Sequence, residues 1–381
     1  MRDVLPALLG WWREGRTAAL ATVVATWDSA PRPAGAAMLV GPDGSVVGSL
    51  SGGCVEADVC AVAEEVLAEG VPVLRRYGVS DHDAVAVGLP CGGTVDVHVA
   101  AVSPATFPEL PEVAALVAAG EPVSVAVVVG SPDGDRRGRR LVLRPDGPPV
   151  GGGTLGSPRL DAAVTDDARG LLAAGRDELL TYGPDGERLG DGLEVFVTSL
   201  APPPRMLVFG ASEFAAALAR MGRFLGFHVT VCDARGRFAT AARFPGADAV
   251  VVDWPHRYLA AEATAGRLDE RAVVCVLTHD PKFDVPLLAA ALRLPLAYVG
   301  VMGSRRTQAD RAERLRAEGV TEEELGRLVS PLGLDLGART PEETAVSIAA
   351  ELVSRRWGGG GRPLGEVSGP IHHAPRGDLS R

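Results

Sequence analysis

The spacing of apolar positions changes character near residue 200. Before it, short strands and helical stretches follow one another. Val46-Val47-Gly48-Ser49-Leu50 reads as a strand, and Val55, Val59, Val62, Val66 and Leu67 then recur at helical spacing, with Gly70 and Pro72 as stop signals. Thr94-Val95-Asp96-Val97-His98-Val99 alternates as a strand, and Pro90 helps to fix the turn before it. The run Val197-Thr198-Ser199-Leu200-Ala201-Pro202-Pro203-Pro204 reads as a linker, because consecutive prolines block both helix and ladder. Beyond it, apolar runs predict strands over 205–209, 228–232, 247–252, 271–278 and 296–301, with helices between most of them. That alternation predicts a parallel, doubly wound sheet. A last helix is predicted over 341–357, opened by the capping box Thr340-Pro341-Glu342-Glu343, and the Gly- and Pro-rich stretch 358–381 reads as a disordered tail.

The first half repeats itself. Met38-Leu39-Val40-Gly41-Pro42-Asp43-Gly44 is echoed by Leu141-Val142-Leu143-Arg144-Pro145-Asp146-Gly147, and Tyr77-Gly78 by Tyr182-Gly183. Two copies of one α/β unit, about 1–102 and 120–200, predict one pseudo-duplicated α/β domain over 1–200, ahead of a Rossmann-type domain over 205–357. Two copies at so long a period exclude a solenoid.

Composition narrows the function classes. At 381 residues and 46% hydrophobic, the chain can bury full-sized cores, and its net charge of −10 gives no electrostatic footprint for nucleic acid. Five cysteines, an odd number in a long chain, fit a reducing cytosol better than a disulfide framework. The run Leu5-Pro6-Ala7-Leu8-Leu9-Gly10-Trp11-Trp12 is too short for a membrane span and reads as an amphipathic helix. The expectation is a cytoplasmic protein.

Two of the cysteines stand among glycines, in Ser51-Gly52-Gly53-Cys54-Val55-Glu56 and Gly88-Leu89-Pro90-Cys91-Gly92-Gly93. Flanking glycines remove side-chain cover and let the backbone turn sharply, so each sulfur is a ligand-facing candidate. Cys54 is predicted at a helix N-terminus, where unpaired N–H groups favour a thiolate, a phosphate or an oxyanion. The second copy keeps the fold-making pattern but has no cysteine near Gly156-Ser157-Pro158 or Gly190-Asp191-Gly192. Cys60, Cys232 and Cys275 fall in a helix and in apolar strands, as packing residues.

In the second half, Gly210-Ala211-Ser212-Glu213-Phe214-Ala215 occupies the place of a dinucleotide fingerprint, with Ser212 where a second glycine would admit a pyrophosphate. Asp233 ends the next strand, where a ribose-binding carboxylate belongs. The loop suits either a nucleotide or a sheet that keeps the fold without one. Thr278-His279-Asp280-Pro281-Lys282-Phe283-Asp284 holds the only lysine of the chain, and Ser304, Arg305 and Arg306 before a helix suggest a phosphate cradle.

With the motifs around Cys54, Cys91, Lys282 and Met302-Gly303-Ser304-Arg305-Arg306-Thr307, and with Gly333-Leu334-Asp335-Leu336-Gly337, the chain resembles the XdhC/CoxI family of molybdenum-cofactor chaperones. The resemblance implies a carrier more than a catalyst. Such a protein binds molybdopterin, shields it while a cysteine desulfurase supplies the sulfido ligand, and hands it to a molybdenum hydroxylase such as xanthine dehydrogenase. The cofactor-binding candidates are Gly52, Gly53, Cys54, Cys91, Gly92 and Gly93, with Cys54 and Cys91 as soft metal ligands, and Gly210, Ser212, Asp233, His279, Lys282, Ser304, Arg305 and Arg306. A homodimer is the default assembly. The competing expectation is an NAD(P)-dependent oxidoreductase with Lys282 or His279 as proton donor.

Overall fold

The structure, a computed structural model, describes residues 1–28, 30–78, 93–132, 134–368 and 371. Two compact units divide it: Met1–Pro202, and the chain from Pro203 onward apart from residues 370–372.

The first unit opens with α1 (Leu5–Arg13) and builds an antiparallel sheet from β1 (Ala18–Trp27), β2 (Ala37–Val40), β3 (Val46–Gly48), β4 (Val73–Tyr77) and β5 (Thr94–Val102), in the order β3-β2-β1-β5-β4. Helix α2 (Glu56–Glu69) connects β3 to β4. After α3 (Leu110–Ala119) the plan recurs: β6 (Val123–Gly130), β7 (Arg140–Leu143), α4 (Pro158–Ala174), β8 (Glu178–Tyr182) and β9 (Leu193–Leu200), with sheet order β7-β6-β9-β8. Even the irregularity recurs, since β1 slips against β5 between Val23 and Ala25, and β6 against β9 between Val128 and Gly130. A bulge at one point of both copies re-aims the strand end in each.

Strand alternation decides which residues each helix covers. Ala19, Ala21 and Val23 with Val95, Val97 and Val99 face α2, and Ala126 and Val128 with Val195 and Val197 face α4. The opposite faces of the two sheets share apolar clusters, Val24, Val129 and Phe196 in one, Leu39, Val102, Val125 and Val142 in another. Each such Val or Leu side chain contributes about 1.5–3 kcal/mol by leaving water. Helix α4 is capped by Ser157, whose hydroxyl accepts the Leu160 N–H, and it stops at Gly175 in the left-handed region. The linker is narrower than expected: Val197 to Leu200 complete β9 because their ladder with β6 runs on to Val123 and Leu200, and only the prolines end it.

The second unit is a Rossmann-type parallel sheet. Its strands are β10 (Arg205–Phe209), β11 (His228–Cys232), β12 (Ala249–Val251), β13 (Val273–Val276), β14 (Tyr298–Val301) and β15 (Leu328–Val329), in the order β12-β11-β10-β13-β14-β15. Helices α5 (Glu213–Phe224), α6 (Pro255–Thr264), α7 (Pro281–Ala291), α8 (Arg305–Ala317), α9 (Glu322–Gly326) and α10 (Pro341–Trp357) complete it. Met206 and Val208 face α5 and α10, while Leu207 and Phe209 face α6 and α7. Cover on both faces explains why these strands read as unbroken apolar runs. β12, β13 and β14 are shorter than their apolar runs, since their ladders with β11, β10 and β13 in turn reach only Thr230 to Cys232, Met206 to Phe209 and Val273 to Val276. Leu364–Glu366 forms one 3-10 turn in the Gly- and Pro-rich stretch. Cys232 and Cys275 are buried in β11 and β13, and burial pushes both thiols up to about 12, as suits packing residues. No helix among the described residues is long and apolar enough to cross a membrane.

Candidate functional site

The turn that carries Cys54 is built around one carboxylate. Oε1 of Glu56 accepts the Ser49 hydroxyl (2.8 Å) and the N–H groups of Leu50 (3.0 Å), Ser51 (2.8 Å) and Gly52 (3.1 Å). Oε2 accepts the Ser51 hydroxyl (2.6 Å) and the N–H groups of Gly53 (2.9 Å) and Val55 (3.2 Å). Burial alone would raise this carboxyl, but the donors of Ser51, Ser49 and Leu50 outweigh it and hold the group far below the usual carboxylate range. Gly52 (φ 88°) and Gly53 (φ 125°) supply the positive φ that lets the chain wrap the acid, and a side chain at either would meet open space. Both are exposed, while Cys54 is half-buried and packs partly against the α2 core.

This corrects one expectation. The amides ahead of α2 do not stand open for a phosphate or a thiolate: Glu56 takes five of them, and the Ser51 hydroxyl takes the Cys54 N–H at 3.0 Å. What the turn presents to a ligand is the sulfur and bare glycine backbone.

The turn is tied to the next strands by Tyr77, whose hydroxyl donates to Asp58 Oδ2 at 2.8 Å from the last position of β4 to the first turn of α2. Gly93 stands just before β5, whose first residues pair with β4 through Val95 and Tyr77. Cys91 and Gly92 lie outside the described residues. The second copy keeps the frame and drops the chemistry. Tyr182 donates to Asp167 at 2.8 Å, and Asp161, the counterpart of Glu56, accepts among the described residues only the Leu155 N–H and the Thr154 hydroxyl, both at 2.7 Å. At the same spacing, Arg159 stands where Cys54 does.

In the second unit the strand order reverses between β10 and β13, the point where such sheets bind ligands. The fingerprint residues there are engaged by their own fold. Gly210 (φ 112°) lies so close to the segment after β13 that a Cβ would meet Thr278 Cγ2 at 2.9 Å. The Ser212 hydroxyl caps α5 by accepting the Ala215 N–H. The buried Asp233 carboxylate accepts the Ala211 N–H (2.7 Å) and the backbone and guanidinium N–H groups of Arg235 (2.7–2.9 Å). Desolvation works against its charge, and Arg235 overcomes that and holds its carboxyl low.

His279 is exposed in the loop after β13, and Lys282 sits in the first turn of α7, its Nζ 3.6 Å from Asp280 Oδ2 and largely in solvent. Lys282 also borders an open groove of about 370 Å³ with Val285, Pro286 and Arg314. Ser304 and Thr307 exchange hydroxyl and N–H in a capping box at the start of α8, which leaves Arg305 and Arg306 exposed beside it. Behind these loops Thr278 donates to Asp284, and the buried Arg311 bridges Asp284 (3.6 Å), the Met302 carbonyl (3.0 Å) and Ser330 (3.2 Å). Burial raises the Asp284 carboxyl and lowers the Arg311 guanidinium. Among the described residues, no group of three or more His, Cys, Asp or Glu side chains is placed to hold a metal ion.

Comparison with known proteins agrees with both halves of this description. Residues 11–78 and 116–183 each match the XdhC and CoxI family, and residues 206–352 match the XdhC Rossmann domain. The chain belongs to the XdhC and CoxI family. It is 28% identical to a probable xanthine dehydrogenase subunit of Bacillus subtilis, over 93% of this chain and 96% of that protein. It is also 28% identical to the molybdenum cofactor insertion chaperone PaoD of Escherichia coli, over 90% of this chain and 84% of PaoD. Among solved structures, a xanthine dehydrogenase from Bacillus halodurans superposes with a TM-score of 0.68 at 26% identity, covering 93% of this chain and 94% of that one.

For this member of the XdhC and CoxI family, sequence reasoning placed Cys54 but missed Glu56, Asp58, Tyr77 and Arg311. Glu56 had a signal, since the copy without the cysteine keeps an acid, Asp161, at its position. Arg311 had none, because it belongs to an exposed-looking helix rich in arginine.

Proposed function

We propose that this protein is a molybdenum-cofactor chaperone: it binds molybdopterin, supports sulfuration by a cysteine desulfurase, and delivers the product to a molybdenum hydroxylase such as xanthine dehydrogenase. The observation that carries the reading is the likeness, over 90% of this chain, to a molybdenum cofactor insertion chaperone. The Cys54 turn fits such a ligand. A soft sulfur in a glycine turn suits molybdenum or a transferred sulfur, and it occurs only in the copy that carries the motif. When bound, the cofactor supplies the molybdenum centre that the client enzyme uses. Cys54 would hold it on the sulfur side, Gly52 and Gly53 would let it approach the backbone, and Glu56 keeps the turn rigid; Cys91, Gly92 and Gly93 are further candidates from the sequence. At the edge of the parallel sheet, Lys282, Arg305 and Arg306 are separate candidates for an anionic group. The protein works in the cytoplasm as a homodimer.

The rival reading, an NAD(P)-dependent oxidoreductase, has the strand order in its favour. Against it stand Asp233, committed to Arg235, and Ser212, committed to its helix. The test is activation. Loaded protein, mixed with apo-hydroxylase and a cysteine desulfurase, yields active client, and Cys54→Ser yields much less at equal folding. Client activation that is independent of the added protein would overturn the proposal, as would steady reduction of NAD or NADP with a defined substrate.

A further inference from the structure

Strand alternation turns basic side chains inward between the two sheets of the first unit. Val95, Val97 and Val99 face α2, so His98 of β5 faces the second copy; Leu141 and Leu143 face α4, so Arg140 of β7 faces the first. Register brings the two together, since Leu74 pairs with His98, Val127 pairs with Arg140, and Leu74 and Val127 share one apolar cluster. The Arg140 guanidinium lies on the buried ring of Phe107, its Cζ 4.3 Å from the centroid. Arg137 stands on the loop before β7, and its neighbour Gly138 is held so close to Pro72, ahead of β4, that a Cβ would meet Pro72 Cγ at 3.0 Å.

His98 is 5% exposed, and its Nε2, Arg137 Nε, and Arg140 Nε and Nη1 are buried with no hydrogen-bond partner among the described residues. Buried cationic donors without an acceptor are costly. Burial, and after it the charges of Arg140 and Arg137, lower the His98 imidazole to about 3; burial lowers the Arg140 guanidinium to about 10, against the opposing pull of Glu109. The fold does not require these groups. Thr22 and Val127 stand at equivalent places, each one residue before the shared bulge; Thr22 pairs with Ala37 and His98, and Val127 with Arg140 and Phe196. The counterpart of His98 is therefore a buried phenylalanine, and that of Arg140 a buried alanine. We propose that His98, Arg137 and Arg140 bind a tetrahedral oxyanion, sulfate or inorganic phosphate, between the two copies. Guanidinium forks donate paired N–H groups that match such an ion, and a neutral imidazole adds a further donor. The site stands independently of the chaperone reading.

The test titrates the full chain in chloride buffer with sodium sulfate and sodium phosphate by calorimetry, beside melting scans against sodium chloride at matched ionic strength. Wild type should take up one oxyanion saturably, and preference for sulfate or phosphate names the occupant. Arg140→Met, which keeps an unbranched stem over Phe107, and His98→Phe, which copies Phe196, should each bind about tenfold more weakly or worse. Arg144→Met, at an exposed arginine paired with Glu112, should bind as wild type does. Sulfate strengthens apolar burial in any fold, so the melting scans are read as differences between proteins. In chloride, Arg140→Met should melt no lower than wild type, having lost a buried cation without a partner; in saturating oxyanion, wild type should melt higher. No saturable uptake, equal affinity for chloride, unchanged affinity in folded Arg140→Met, or an equal loss in Arg144→Met overturns the site and leaves these donors to water.

Discussion

Replacing Glu56 by alanine should loosen the Cys54 turn more than any other single change within it. The carboxylate accepts five amides and two hydroxyls, and its loss leaves those donors to water. Charge-assisted hydrogen bonds contribute about 1.5–3 kcal/mol each when isolated, but seven share two oxygens here and exposed glycines admit water. Discounted for that screening, the loss of seven shared bonds exceeds that of a strong helix cap, which costs up to about 2 kcal/mol, and about 2–4 kcal/mol is expected for Glu56→Ala. Glu56→Gln keeps one acceptor oxygen and should cost about half as much. In a unit of this size, each kcal/mol lowers the melting temperature by about 2–4 °C, so Glu56→Ala should lower the first transition by about 5–15 °C.

The pH dependence carries a sign. The folded-state pKa of Glu56 is depressed, so its stabilisation is complete above the ordinary carboxylate value and fades as pH falls toward the depressed one. Differential scanning fluorimetry of wild type and Glu56→Gln should therefore show a constant gap from pH 6 to 8 that narrows progressively as pH falls below about 4. A Glu56→Gln protein that melts with wild type, or a gap that widens on acidification, would refute the role given to this carboxylate.

Further outcomes follow from the same contacts. Tyr77→Phe and Tyr182→Phe each remove one hydrogen bond to an aspartate and should cost about 1 kcal/mol by denaturant unfolding, with equal effects in the two copies. Arg311→Met strips the buried Asp284 of its cation and should cost about 3–5 kcal/mol, and adding Asp284→Asn should recover much of it; no recovery would mean that Arg311 acts through packing alone. Native alkylation at pH 8, read by peptide mass, should label Cys54 well before Cys232 and Cys275, whose thiols burial pushes up to about 12. Uniform labelling would contradict that ordering.

What could be read from the sequence divides along physical lines. The Rossmann-type strands were legible because both faces are covered, so the apolar runs are continuous. The duplication was legible because Pro-Asp-Gly turns and Tyr-Gly strand ends recur in order. β15 was missed, since Leu328 and Val329 are too short a run to show a period. Glu56 looked like an ordinary acid in a first helical turn, and only the wrapped backbone shows that it fills the anion site that the glycines and helix start had suggested. Asp233 looked like a ribose ligand because its position is right; that Arg235 folds back onto it depends on rotamers that no spacing encodes.

The account stands most directly on the molybdenum that the protein carries. Protein purified from molybdenum-replete cells, with and without Cys54→Ser, can be assayed for metal by mass spectrometry and for pterin by fluorescence after oxidation, beside its melting temperature. The account predicts molybdenum and pterin in equal amounts on the wild type and clearly less of both on a Cys54→Ser protein that melts normally. Wild type free of both, or a Cys54→Ser protein that holds as much as wild type, would contradict it.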